Sequence, residues 1–424
     1  MTTLTEPRHP SQYMRHGRTP EVSEVLLSAF EAIPEQPIAS QLRSAAWKAF
    51  SNLGLPRSGD EEYSFVSANE LQTLLSRTPQ ADPAAGFEID DAVGLEQFSL
   101  ASLNSTSVPV PEALLHPWKS IAQEEQDAPA ALAMALASHP KALSLKAGTR
   151  LEKPLSMVCR GIDSVNARTD AALFFQLEAG SAAKVSLSSI LSSSEDFLNA
   201  SAVFRLGVDA ELDLTQTDPA LGMQTLKLRF ILERGAKLRL TCASTGSRFQ
   251  RLALEVDLMD SHAEADIRSA AVVGASNRCH RHVMLRHHAP DCTSRQLFKA
   301  VVLGAGRSSV DGTVVVDRNA QHTDARQLLQ HLMLSKEGRA DCKPRLLIHA
   351  DDVKCSHGAA VGKMDPEQLF YLLSRGLDLK SAHELLTQAF LAEALNASPL
   401  AEVREPMRAR LMAALREAAL KEAT

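Results

Sequence analysis

Apolar and polar residues alternate with a period of two through the middle of the chain, from about residue 143 to 350. This alternation is typical of β-strands that bury one face and expose the other. The clearest segments are VSLSSIL, ELDLTQT, LKLRFIL, KLRLTCA, LALEVDL and TVVVD, which begin at Val185, Glu211, Leu226, Lys237, Leu252 and Thr313. The middle of the chain is therefore predicted to be a β-rich core.

The N-terminal part shows the three- and four-residue spacing of amphipathic helices. Helices are predicted over 21–33 and 39–50, and a further one over 128–139 follows a stretch rich in proline, aspartate and alanine. We therefore divide the chain into an N-terminal helical region with its linker (1–125), a core (126–350) and a C-terminal region (351–424).

The C-terminal region is also predicted to be helical. Asp365 is placed as an N-cap, Pro366 as the first helical residue and Gln368 as its third, and Gly376 as the glycine that ends the helix. SAHE, which begins at Ser381, forms a capping box for a second helix. MRARLMAALREAALKEA predicts a last amphipathic helix.

An alanine recurs in the core at nearly constant spacing. The steps are 26 or 27 residues, and the alanines are Ala183, Ala210, Ala236, Ala263 and Ala289. A constant period filled with short strands favours a β-solenoid, in which each coil buries its inner face by stacking on its neighbours. A β-sandwich is the alternative, because its strands also recur regularly. The helical regions would then cover the ends of the solenoid.

Composition excludes several classes of protein. The 424 residues carry a net charge of −6, so general attraction to nucleic acid is not expected. MTTLTEPRHPSQYMRHG at the N-terminus lacks the apolar centre of a signal peptide, and no long apolar run predicts a membrane span. The six cysteines form no C-x-x-C pair, so reduced thiols in the cytoplasm are expected.

Two glycine-rich segments do not fit nucleotide-binding motifs. GAAVGKM (358–364) has three residues between its glycines where a P-loop has four, and a methionine where the P-loop has Ser or Thr. GAGRSS (304–309) lacks the third glycine of a dinucleotide fingerprint. We therefore expect no ATP or NAD binding by this chain itself.

The segment RCHRHVMLRHHAPDC (278–292) concentrates histidines and cysteines. On a strand, His280 and His282 face one way and Cys279 the other. Thiolate and imidazole are ligands for zinc or iron, but the interleaved arginines would repel a cation. A solvated basic strand face is the alternative that we favour for this segment.

Cys355 and His357 form a stronger candidate for a metal site. In an extended chain, residues two apart point to the same side, so their sulfur and nitrogen atoms can approach one metal ion. Two ligands do not complete a tetrahedral site, and the others would have to come from elsewhere in the fold or from a partner chain. The alternative is a small buried cysteine beside a surface histidine in a turn.

Aspartates recur near the strand ends of the C-terminal coils, which raises the alternative of a carbohydrate-active β-helix enzyme. They are Asp311, Asp317, Asp324, Asp341, Asp351 and Asp352. Aspartate is an ordinary turn residue, and sugar-binding grooves usually carry exposed aromatic residues. With only two Trp and three Tyr in the chain, solvated turns are the favoured interpretation.

The C-terminal half resembles the SufB/SufD family of iron–sulfur cluster assembly scaffolds. The resemblance runs over about residues 287–395 and is carried by three segments. These are HHAPDCTSRQLFKAVVLGAGRSSVDGTVVVDRNAQHTDARQLLQHLML, PRLLIHADDVKCSHGAAVGKMDPEQLFYLLSRGLD and AFLAEAL. Within the family, KCSHGA resembles SufD-type chains, because SufB-type chains have a glutamate-bearing segment there.

The resemblance implies a mainly β fold, with a right-handed parallel β-helix core between N- and C-terminal helical regions. It implies a non-enzymatic subunit of a complex with a SufB-like chain and a SufC-like ABC-type ATPase. His357 corresponds to the family's histidine associated with nascent cluster formation, and Cys355 is its neighbour. The helical segment that docks the ATPase corresponds to Leu369, Phe370, Tyr371, Arg375 and Gly376.

The resemblance further implies no permanently bound cofactor and a transient iron–sulfur cluster or iron at the partner interface. Pairing of the isolated chain as a homodimer stays open, and no nucleic acid or membrane partner is expected. The rival hypotheses are a carbohydrate-active β-helix enzyme and a stand-alone metal-binding protein.

Overall fold

A computed structural model describes residues 24–33, 37–80, 82, 85–89, 98–102, 112–162, 167–219, 221–396 and 400–422. The N-terminal segment in which we found no signal-peptide pattern lies outside these residues. Within the described part, the chain folds as N-terminal helices, a long stack of strands, and C-terminal helices.

The N-terminal region contains helices and three short strands. The elements are α1 (Glu24–Glu31), α2 (Pro37–Leu53), a 3₁₀ turn (Glu61–Tyr63), α3 (Ala68–Leu75), β1 (Thr78–Pro79), β2 (Gly86–Ile89), β3 (Phe98–Ser102), α4 (Glu112–Gln123) and α5 (Ala128–Leu136). The helices predicted over 21–33, 39–50 and 128–139 correspond to α1, α2 and α5.

The core is a β-solenoid. Its strands are β4 (Lys141–Leu145), β5 (Leu155–Arg160), β6 (Ala167–Leu177), β7 (Ala182–Ile190), β8 (Phe197–Leu206), β9 (Glu211–Thr217), β10 (Met223–Leu232), β11 (Lys237–Ser244), β12 (Phe249–Leu258), β13 (Glu264–Val273), β14 (Arg278–His287), β15 (Thr293–Val302), β16 (Arg307–Val316), β17 (Asp324–Met333), β18 (Arg339–Ile348) and β19 (Lys354–Gly362). Even-numbered strands from β4 to β18 form one parallel sheet, and odd-numbered strands from β5 to β19 form the other. The prediction of a mainly β, parallel solenoid is confirmed.

The strand register corrects the predicted repeat. Ala210, Ala236 and Ala263 occupy equivalent positions, because Leu212 pairs with Leu238 and Leu238 with Ala265. Ala183 instead pairs with Leu212, so it is two positions out of step with Ala210. Thr293 pairs with Glu264, so the residue equivalent to Ala263 is Cys292 and not Ala289. The coils on either side are longer, because their turns hold additional residues. The constant step is therefore a property of the central coils only.

Aliphatic and aromatic side chains stack from coil to coil in the interior. Phe204 lies between Phe175 and Phe230, with ring-centroid distances of 5.9 and 5.1 Å. The same row continues through Val256 and Leu285, and all five side chains are buried. Each coil thus buries its inner face against the next, which is why a single coil would not be stable.

The prediction that helices cover the ends of the solenoid is wrong, because the N-terminal helices pack on the outer face of the even-numbered sheet and the C-terminal helix α7 (Leu379–Leu395) on that of the odd-numbered sheet. Buried ion pairs also join the N-terminal region to its sheet. Asp127, which precedes α5, accepts hydrogen bonds from Arg251 on β12 (Nη2 to Oδ1, 2.7 Å) and from the Tyr63 hydroxyl (3.2 Å). Burial alone would raise the pKa of Asp127, but the charges of Arg251 and Lys227 and the hydrogen bond from Arg251 outweigh it, so that the pKa is lowered.

The strand ladder extends beyond the predicted end of the core at residue 350, because Lys354–Gly362 forms β19. The helices α6 (Pro366–Ser374), α7 (Leu379–Leu395) and α8 (Ala401–Glu422) follow. The start of α6 is as predicted, since Asp365 accepts a hydrogen bond from the Glu367 backbone. The capping box at Ser381 is wrong: α7 begins earlier, and its N-cap is Asp378, which accepts from the Ser381 backbone.

Candidate functional site at the end of the solenoid

The last coil of the solenoid, formed by β18 and β19, is open. Within the described residues, β18 pairs only with β16 and β19 only with β17, so each strand has an unpaired edge. Leu347, Ile348 and Val361 are 38%, 40% and 49% exposed there. Unpaired strand edges and exposed apolar side chains are features with which another chain can pair.

Cys355 and His357 lie on β19 at this open end. They pair in register with Ala325 and Gln327 of β17, whose side chains are buried in the interior. Both residues therefore stand on the inner side of the strand, although no coil in the described part of the chain covers them. Cys355 is half-buried against the core, and His357 is exposed. Beneath His357, Gln327 donates a hydrogen bond to Gln296 (3.0 Å).

The environment of Cys355 favours the neutral thiol. Burial raises its pKa and outweighs the lowering by the hydrogen bond to the Ala325 backbone, and the nearby Asp324 adds a smaller raising effect. A metal ion would therefore have to displace a proton from this sulfur. Among the described residues, no group of three or more His, Cys, Asp or Glu side chains is placed to hold a metal ion. Cys355 and His357 are thus two ligands without a third.

Sequence reasoning missed a second thiol–imidazole pair at the same end. Cys342 Sγ on β18 lies 3.0 Å from His331 Nδ1 on β17. Burial, with Asp341 nearby, raises the pKa of Cys342 to about 11, and burial lowers the pKa of His331 to about 4, so both groups are neutral at pH 7. No spacing rule links these residues, because they come together only through the register of two sheets.

Helix α6 carries the residues predicted to dock an ATPase. None of its residues is buried; Phe370 and Tyr371 are 72% and 56% exposed, and Leu369 is half-buried. The Arg375 guanidinium lies over the Tyr371 ring, 5.2 Å from its centroid. Gly376 adopts φ +90°, which favours glycine and ends the helix.

The interpretation of segment 278–292 as a solvated basic strand face is wrong. Cys279 and Arg281 point into the interior, where Arg281 Nη2 donates to Asp218 Oδ2 (2.6 Å). His280 is buried on the opposite face and its Nδ1 lies 2.7 Å from Ser309 Oγ, whereas His282 is half-buried. The aspartates are also not all turn residues, since Asp311 is buried within β16.

Comparison with known proteins agrees with this arrangement. The family model described as "SUF system FeS cluster assembly, SufBD core domain" matches residues 163–390, more than half of the chain. The chain belongs to the SufBD family. The match covers most of the solenoid and extends through β19 and α6 into α7.

Individual SufBD relatives match over shorter segments. The iron–sulfur cluster assembly protein SufD of Escherichia coli is 42% identical over 127 residues, which are 30% of each chain. Protein ABCI7, chloroplastic, of Arabidopsis thaliana is 42% identical over 130 residues, 30% of this chain and 27% of that protein. SufD of Bacillus subtilis is 34% identical over 137 residues, 32% and 31% of the two chains. The matched segments thus span about a third of these relatives or less.

Each helix of the described region is too short or too polar to span a lipid bilayer.

Proposed function

We propose that this chain is a SufD-like, non-catalytic scaffold subunit that assembles iron–sulfur clusters together with a SufB-like chain and a SufC-like ABC-type ATPase. Family membership supports cluster assembly, and the names of two of the relatives support the SufD-like assignment. The cluster is cargo in this proposal: it forms at the interface between subunits and then passes to acceptor proteins.

The observation that carries the proposal is the position of Cys355 and His357 on the inner side of an uncovered terminal strand. A SufB-like chain that docks on the free edges of β18 and β19 would bring its own ligands over these two residues. Because two ligands hold a cluster weakly, the site would suit assembly and release rather than storage. The same end of the solenoid would serve a homodimer of the isolated chain.

The ATPase partner is proposed to dock on α6. Its exposed aromatic residues, Phe370 and Tyr371, are of the kind that contribute most to protein–protein binding. Only Lys363, Met364 and Asp365 separate this helix from β19. Displacement of α6 when the ATPase binds ATP would therefore act directly on the strand that carries Cys355 and His357. This is a shift between two arrangements of an assembly driven by differential binding.

Replacing Phe370 and Tyr371 together with alanine is expected to weaken ATPase binding by at least about tenfold, since truncation of an interface hot spot costs about 2 kcal/mol or more and tyrosine is enriched among hot spots. Calorimetric titration of the ATPase into the chain measures this. Leu221→Ala and Met259→Ala are matched controls, because both residues are 50% exposed and lie on the solenoid away from α6. Equal affinity of the double variant and the controls would reject this docking surface.

The remaining parts of the proposal concern the rival functions and the compartment. In the described part of the chain, the large exposed aromatic residues are Phe370 and Tyr371 on α6, so no sheet face favours a polysaccharide. The six cysteines are free thiols, in accord with the reducing cytoplasm.

Mixing the chain with its two proposed partners tests the assignment, and one complex that contains all three is the expected result.

A further inference from the structure

The pair formed by Cys342 and His331 lies apart from Cys355 and His357. His331 pairs in register with Val361 near the end of β19, whereas His357 pairs with Gln327, four residues earlier on β17. At 3.3 Å per residue, this places the two histidine positions about 13 Å apart along the strands. The open end therefore presents two separate thiol–imidazole pairs.

The His331 ring is held in the orientation of a metal ligand. Its Nε2 lies 2.9 Å from the hydroxyl of Ser308, which is buried, and its Nδ1 lies 3.0 Å from Cys342 Sγ. A hydrogen bond from Nε2–H to Ser308 leaves the Nδ1 lone pair directed at the sulfur. Histidines that bind metals typically have their other ring nitrogen fixed in this way.

The Cys342–His331 pair has space on its interior side. The groove of about 230 Å³ beside α6 and α7 lies on the opposite, outer face of β17, where Leu332 packs against α7, so the His331 ring does not face it. On the interior side, a cavity of about 10 Å³ is lined by His331 together with Cys279, Arg281 and Ser308. This cavity is large enough for a single water molecule. Cys342 is half-buried on β18, which has an unpaired edge among the described strands, so an ion and its water ligands reach the pair from the open end.

The charge of Arg281 does not exclude a cation here. Its Nη2 donates to Asp218 Oδ2 at 2.6 Å, so the guanidinium is paired with a buried carboxylate. Among the described residues its Nε and Nη1 have no hydrogen-bond partner, and Arg281 and His331 both line the small cavity. Water in the cavity would satisfy these two donors.

We propose that Cys342 Sγ and His331 Nδ1 form a second ligand pair for a thiophilic divalent metal ion such as iron(II), with water or a partner's side chains completing the coordination. Binding releases the thiol proton of Cys342 to solvent and involves no oxidation. In tetrahedral geometry the sulfur and nitrogen ligands stand about 3.5 Å apart, so the present pair has to open by only about 0.5 Å. The inference deepens the proposed function, since this second site would bind the same metal at the same face.

Cadmium(II) as a probe tests this site on the isolated chain under reducing, thiol-free conditions. Iodoacetamide alkylation is followed on the tryptic peptides 340–345 and 355–363, which separate Cys342 from Cys355. Cadmium is expected to slow alkylation of Cys342 by at least about tenfold. In Ser308→Ala, the cadmium concentration needed for protection should rise by about tenfold, the usual effect of losing such a hydrogen-bond partner.

The control is a variant that carries both Cys355→Ser and His357→Ala, in which cadmium should still protect Cys342. Unchanged alkylation of Cys342 in the presence of cadmium would overturn the proposal, as would protection that disappears in this control. The wild-type measurement decides the question even where a Ser308 variant fails to fold. This test uses the isolated chain, so a negative result would not contradict the proposed function. A failure of cluster assembly in the complex would likewise not contradict metal binding by Cys342 and His331.

Discussion

His357→Ala is expected to lower the yield of iron–sulfur cluster at least about tenfold in an anaerobic reconstitution with the two partner chains. The imidazole is exposed on the inner side of β19, and its loss leaves the half-buried thiol of Cys355 as the remaining ligand of this pair. Loss of even an indirect partner of a metal site costs about ten- to a hundredfold in affinity or activity. Visible absorption and electron paramagnetic resonance of the assembled cluster measure the effect.

The same substitution should leave the solenoid stable. Exposed substitutions usually change the free energy of unfolding by less than about 0.5 kcal/mol. His349→Ala is the matched control, because His349 is an exposed histidine of the same coil, in the turn between β18 and β19. A normal cluster yield from His357→Ala, or an equal loss in His349→Ala, would contradict the role assigned to His357.

Acidification is expected to destabilise the chain strongly between about pH 6.5 and pH 4. Three buried histidines have lowered pKa values, each chiefly because burial disfavours the charged ring: His280 at about 3, and His287 and His331 at about 4. In the unfolded chain they take up protons near the ordinary pKa of 6.5. The unfolded state then binds more protons than the folded state, so the free energy of unfolding falls as the pH falls.

The expected slope is steep. Each such histidine contributes about 1.4 kcal/mol per pH unit, so the three together contribute about 4 kcal/mol per pH unit near pH 5. His288, whose pKa is raised overall by hydrogen bonds to Asp257 and Asp317 against the effect of burial, adds no slope below its ordinary pKa. Below about pH 4, protonation of Asp127, whose pKa is lowered, removes further stability.

Urea unfolding at a series of pH values measures this slope. His287→Leu is the informative variant, since the neighbours of His287 in register are Leu258 and Val316. Its slope should be smaller by about 1.4 kcal/mol per pH unit. A wild-type stability that does not change between pH 6.5 and pH 4.5 would contradict the burial of these histidines.

The sequence was sufficient to predict most strands, because burial of one face produces a strong period-two signal. VSLSSIL and ELDLTQT are β7 and β9, for example. The strand β19 was not predicted as part of the core, since KCSHGAAVG has one branched apolar residue, whereas its two glycines, two alanines and one lysine are residue types that are depleted in strands. Pairing with β17 holds it in place.

Tertiary contacts explain what the sequence could not predict. The polar residues of β14 suggested an exposed strand, but the interior on one side and the N-terminal region on the other bury most of them. Glu70 on α3, for instance, forms an ion pair with Arg278. The contact between Cys342 and His331 depends on the register of strands in two sheets, which local patterns do not encode. Cys355 and His357 were identified because a single strand places them on one side.

The proposed function is tested most sharply by the molar mass of the assembly formed when this chain is mixed with a SufB-like chain and the SufC-like ATPase, measured by light scattering after size exclusion. We expect one species that contains all three chains, and loss of the SufB-like chain when a charged residue replaces Val361 at the open end. Elution of this chain by itself, with the partners assembled without it, would contradict the assignment.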